Sequence, residues 1–139
     1  LMKKVFMATA IIIGFLSCKN VQQQNSQTAP DIFGKYKVVA INRANVPETM
    51  NGTTLELTDS SKYSGKTGVN LLFGDYKVSN SNISFGEGAM TRMMGDPSSM
   101  KIEQDYVEAI HSVKTFDRDG EYIILKNGKG DEVMRLVKE

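Results

Sequence analysis

One cysteine, one histidine and eight methionines carry the softest and most readily titrated chemistry in this chain of 139 residues. Their spacing excludes more than it supports. A lone Cys18 can form no internal disulfide, and together with the single His111 it cannot complete a zinc site or a nucleophilic triad. On a helical reading His111 falls about 180° from Ile102, on the side that faces solvent. Met90, Met93, Met94 and Met100 lie close together. Thioethers fill irregular gaps in cores, and the same softness suits an adaptable apolar pocket. Cu(I) ligation would also use thioethers, but no histidine supports it here.

Two stretches imitate ligand loops. Ser64-Gly65-Lys66-Thr67 ends like a phosphate-binding loop, yet Ser60 stands where the first glycine belongs, and Gly68 to Tyr76 reads as turn and strand. Asp117-Arg118-Asp119-Gly120-Glu121 has its glycine at the fourth position, where a calcium loop needs it at the sixth, so a hairpin turn explains it better. Lysine and arginine number 17 against 16 acidic residues. Interspersed signs without a basic stripe argue against a nucleic-acid partner and against a polybasic membrane patch.

The N-terminus carries an address. Lys3 and Lys4 precede an uncharged run from Val5 to Leu16, and Phe15-Leu16-Ser17-Cys18 has the shape of a lipobox. The run is too short for a membrane span, which needs about 20 apolar residues. Residues 1–17 are therefore expected to be a lipoprotein signal peptide and Cys18 the site of lipid attachment. The membrane is then a partner through an N-terminal anchor in the bacterial cell envelope, most naturally the outer membrane facing the periplasm. Residues 18–31 read as the lipidated cysteine and a tether: Lys19 to Pro30 is rich in Gln, Asn, Ser and Thr, with an expected reach of roughly 20 Å. Loss of Lys3 and Lys4 with the signal turns the formal charge of +1 into about −1.

Residues 32–139 read as one folded domain. Strands are expected at Lys35–Ile41, Thr53–Thr58, Tyr63–Thr67, Asp75–Ser79, Asn82–Phe85, Tyr122–Leu125 and Glu132–Val137, separated by Gly, Asn and Asp turns. Against this period-two pattern, Ile102, Tyr106, Ala109, Ile110 and Val113 form one helical stripe, which predicts an amphipathic helix over about 99–112 capped by Ser98 or Ser99. The fold class is α+β, mostly β, with that helix laid on a curved antiparallel sheet.

The segment Gly65-Lys-Thr-Gly68-Val69-Asn70, then Gly74-Asp-Tyr76, Ile83-Ser-Phe85 and Thr91-Arg92-Met93-Met94-Gly95, resembles the META domain family, which includes the HslJ-like heat-shock lipoproteins. The resemblance runs from about Phe33 to Val137. It implies an antiparallel half-barrel around the helix, and it brings no established catalytic residue, metal or cofactor. With the anchor, the tether and no catalytic constellation, the expectation is a non-enzymatic binding or stabilising module of the envelope whose partner the sequence does not name, an envelope protein being one candidate. The alternative is a carrier of an apolar ligand in a cavity lined by Phe73, Met90, Met93 and Met94. Asn70, Thr91, Arg92 and Met93 are the candidate binding residues, with Asp75 a further polar neighbour of the motifs. Arg92 suits an anion by its fork geometry, whereas an asparagine such as Asn70 is commonly a turn residue. The family's two common cysteine positions are Val69 and Gly95 here. They are expected to remain neighbours, with the valine filling the volume of the bridge.

Overall fold

Alternation of apolar and polar residues commits most of the chain to strands with one face in and one face out. A computed structural model describes residues 31–48 and 52–139. The expected signal peptide, Cys18 and all of the tether but Asp31 lie outside the described residues. In chain order the described strands are β1 (Gly34–Ile41), β2 (Ala44–Asn45), β3 (Thr54–Leu57), β4 (Lys62–Lys66), β5 (Leu71–Ser79), β6 (Asn82–Phe85) and β7 (Ala89–Met90). The helix α1 (Pro97–Ser112) follows, then β8 (Val113–Asp119), β9 (Tyr122–Asn127) and β10 (Glu132–Lys138). Every expected strand is present. Val113–Asp119 is an addition: Val113 continues the helical stripe in phase, but it opens β8. Also, β5 begins at Leu71 rather than Asp75.

The sheet is mostly antiparallel neighbours in sequence, and it closes. The order β1-β3-β4-β5-β6-β8-β9-β10 returns to β1 because Tyr36 to Ile41 pair with Lys138 to Met134. This is an eight-stranded closed barrel rather than the half-barrel expected. The correction has a simple cause: pairing the first and last strands removes both open edges of the sheet. Closure is uneven. β6 and β8 share a single bridge, Asn82 to Thr115, while β8 and β9 pair along their whole length. The two-residue strands β2 and β7 add to the outside of β1 and β5.

Register defines two mouths. The start of β1, the Thr58–Lys62 turn, the Ser79–Asn82 turn and the Asp119–Tyr122 turn share one mouth. The turn Thr67–Asn70, the start of β8 and the turn Asn127–Glu132 share the other. Helix α1 lies at this second mouth. It runs from the loop after β7 to Val113, touching β1, β6, β9 and β10 on the way. Its Tyr106 and Ile110 are fully buried in the barrel.

The barrel interior is filled. Leu55, Tyr63, Leu72, Tyr76, Ile83 and Phe85 from one side meet Val38, Ile123, Leu125, Met134 and Leu136 from the other, with the helix side chains among them. Each fully buried side chain of this size contributes roughly 1.5–3 kcal/mol. Four buried tyrosines send their hydroxyls to backbone carbonyls: Tyr36 to Ile32 (2.7 Å), Tyr63 to Gly86 (2.9 Å), Tyr76 to Thr58 (2.7 Å) and Tyr106 to Thr54 (2.9 Å). Burial pushes the Tyr106 phenol far above its ordinary range, so it stays a neutral donor. Gly65 makes that possible, since a Cβ there would lie 2.1 Å from the Tyr106 hydroxyl.

The helix begins two residues earlier than expected, and Asp96 caps it. Its Oδ1 accepts from the Ser98 and Ser99 N–H groups, both at 3.0 Å, and Pro97 takes the first position, where no N–H is needed. The serines expected to cap instead donate their own hydroxyls to the Asp96 carboxylate.

Candidate functional site

Three of the residues singled out by sequence, Asn70, Thr91 and Met93, meet at the second mouth, and one that sequence reasoning passed over organises them. Asn70 ends the β4–β5 turn, in which Thr67 N–H donates to Asn70 O at 2.9 Å. Its side-chain amide then works like a strand partner for the loop before α1. Asn70 Nδ2 donates to Met93 O at 3.1 Å, and Asn70 Oδ1 accepts from Met93 N–H at 2.6 Å. Thr91 Oγ1 donates to the same oxygen at 2.9 Å and accepts from Leu71 N–H at 3.0 Å.

Glu103 is the missed residue. It is only 6% exposed, on the inward face of α1. Its Oε2 accepts from Thr67 Oγ1 at 2.6 Å and from Asn70 N–H at 3.0 Å, and its Oε1 accepts from Asn70 Nδ2 at 3.0 Å. Among the described residues no lysine, arginine or histidine pairs with it. A buried carboxylate survives without a cation when neutral donors satisfy its oxygens. The sequence carried one signal: Tyr106 and Ile110 stand three and seven positions after Glu103, which puts an acid on the edge of the apolar stripe.

The cluster Thr67–Asn70–Thr91–Glu103 thus ties three segments together: the turn, the loop from Thr91 to Gly95, and the helix. Its hydrogen-bonding groups are used internally, in an arrangement that positions the loop and the helix. Arg92, the candidate anion binder, is exposed and joins no ion pair among the described residues. Asp75 lies away from the cluster, paired with Lys62. His111 is exposed in the last turn of α1. No group of three or more His, Cys, Asp or Glu among the described residues is placed to hold a metal ion. Val69 and Gly95 are neighbours: a Cβ on Gly95 would lie 3.5 Å from Val69 Cβ and 2.5 Å from its Cγ2.

Met90, Met93 and Met94 do not pack the core as their simplest reading expected, nor do they line an interior cavity. Met93 is 57% and Met94 90% exposed, and Met90 is exposed as well. Leu71 and Phe73 join them on the surface, because alternate residues of β5 turn outward while Leu72 turns in. Beside this patch an open groove of about 580 Å³ runs between Met90 and α1, lined by Pro97, Met100, Glu103, Gln104 and Val107 and by the charged Lys101 and Glu108.

A closed antiparallel barrel plugged by one helix, with Asn70, Thr91 and Glu103 holding a loop and that helix, defines a mostly-β domain. The chain belongs to the META domain family, whose model matches residues 31–139. No curated protein matches it. Among solved structures it is similar to an NMR structure of a protein from Burkholderia xenovorans, at 23% identity and a TM-score of 0.61 over 76% of this chain and 81% of that one. It is also similar to a crystal structure of a DUF4847 family protein from Bacteroides vulgatus, at 11% identity and a TM-score of 0.55 over 76% of this chain and 92% of that one. At these identities the likeness is one of fold.

Proposed function

We propose that this META domain is the non-enzymatic binding module of a lipid-anchored protein of the bacterial cell envelope, held at the outer membrane and facing the periplasm. One observation carries the reading. Asn70, Thr91 and Glu103 are consumed in bracing the second mouth, whereas large apolar residues (Leu71, Phe73, Met90, Met93 and Met94) stand exposed on the neighbouring strands β5 and β7 and the loop that follows. Clustered exposed apolar side chains mark contact surfaces. The lipobox at Cys18 supplies the anchor, and the described chain enters the domain at the opposite mouth, with Asp31 O accepting from Arg118 of β8. An anchor attached there joins the domain at the mouth opposite the apolar patch and leaves that patch free for a protein partner.

The test is site-specific photo-crosslinking in intact cells. A cross-linker at position 94 is expected to give a discrete adduct, and one at position 121, at the far mouth, is expected to give none. In parallel, Cys18→Ala should move the chain from the membrane to the soluble fraction. A purified chain that turns over a substrate while position 94 gives no adduct would overturn the proposal. The second reading, carriage of an apolar ligand, must use the open groove beside Met90, because the barrel interior is occupied by side chains. Native mass spectrometry of detergent-free material distinguishes it by a retained ligand mass.

A further inference from the structure

The backbone of β7 narrows what the partner presents. Thr91 N–H donates to Leu71 O at 3.0 Å, so these two form a hydrogen-bonded pair. By antiparallel alternation the next pair, Leu72 and Met90, is the non-bonded one. The N–H and C=O of Met90 therefore point away from β5, and among the described residues neither makes a hydrogen bond. Among the described residues no strand lies beyond β7, because β8 meets this edge of the sheet only at Asn82–Thr115 on β6. Helix α1 takes that place at a distance, and the groove between Met90 and Met100 is the gap it leaves.

We infer that this groove receives an extended segment of a partner protein, which adds a strand to the β7 edge and buries apolar side chains against Met90, Met100 and Val107. The inference rests on the binding-module reading and names its ligand. A strand edge beside a helix offers main-chain hydrogen bonds for affinity and apolar contacts for alternate side chains. An acyl chain would use only the second of these. The chain's own segment from Lys19 to Pro30 is a poor occupant: Val21 is its one large apolar residue, and it joins the domain at the other mouth.

The test uses the isotope-labelled full chain in lipid nanodiscs and a small panel of blocked heptapeptides alternating Thr with Leu, Val, Ile or Phe. At least one is expected to shift the Met90 amide resonance and slow its hydrogen exchange. Methylating alternate peptide nitrogens should lower affinity about tenfold while leaving composition nearly unchanged. Met100→Glu, on the helix wall, should weaken binding by a similar factor with the barrel resonances in place. The inference is overturned if no peptide perturbs Met90, if the methylated peptide binds equally well, or if the shifts map to Leu71 and Phe73 on the outer face. Met90 protection that grows with protein concentration alone would put a second copy in the groove and also overturn it. The adduct from position 94 is read independently, so an adduct in cells with an unperturbed Met90 sinks the strand edge and spares the binding-module reading.

Discussion

Glu103 is held by Thr67 and Asn70 with neutral donors on both oxygens, so its replacement tests how much the cluster stabilises the fold. Glu103→Gln keeps the shape but turns one acceptor into an amide NH2 that faces another donor. The expected loss is about 1–3 kcal/mol, read from urea unfolding, because a buried donor is left without a partner. Val69 and Gly95 make the converse prediction. Their Cβ separation of 3.5 Å lies in the range of a disulfide. The double variant Val69→Cys with Gly95→Cys should oxidise spontaneously and gain roughly 3–4 kcal/mol over its reduced form. Gly95→Ala alone should lose stability, since the new Cβ would meet Val69 Cγ2 at 2.5 Å. Asn70 and Thr91 could be singled out from their motifs. Their partner Glu103 could not, because its donors lie on a turn more than thirty positions away.

At the level of elements, the start of α1 is sensitive to acid. The Ser98 and Ser99 hydroxyls, then their N–H groups, hold the Asp96 carboxyl well below its ordinary value of 3.8. A group whose pKa is depressed by folding contributes stability above its unfolded value and loses that contribution as pH falls through the folded one. Glu132, lowered from 4.5 chiefly by its hydrogen bonds from Arg135, works in the same direction. Urea midpoints should therefore be level from about pH 6 to pH 5 and fall below about pH 4. Asp96→Asn should keep a cap but flatten part of that acid limb. The helix was legible because its stripe has a period no strand shares, whereas its cap falls two or three residues before the expected Ser98 or Ser99, because Asp96, Ser98 and Ser99 offer three capping side chains within four positions. Strand β8 was hidden for a related reason: Val113 continues the helical stripe in phase.

For the whole molecule, closure at β1–β10 and the thin seam at β6–β8 make stability uneven around the barrel. Amide exchange should be slowest in β1, β9 and β10 and fastest at the seam, around Ile83 to Phe85 and Thr115, since sheets open first where few bonds hold them. Uniform protection around the ring would refute a weak seam. Local chemistry was enough to place most of the strands, the turns and the helix, and to raise the expectation of a lipobox at Cys18, because periodicity and turn residues act over a few positions. Pairing of β1 with β10, the burial of Glu103 and the exposure of Met93 and Met94 depend on residues far apart in sequence. Only the closed barrel decides which side of a strand faces inward and which backbone edge is left open. For that reason the surface that can bind a partner, unlike the elements that carry it, belongs to the tertiary structure.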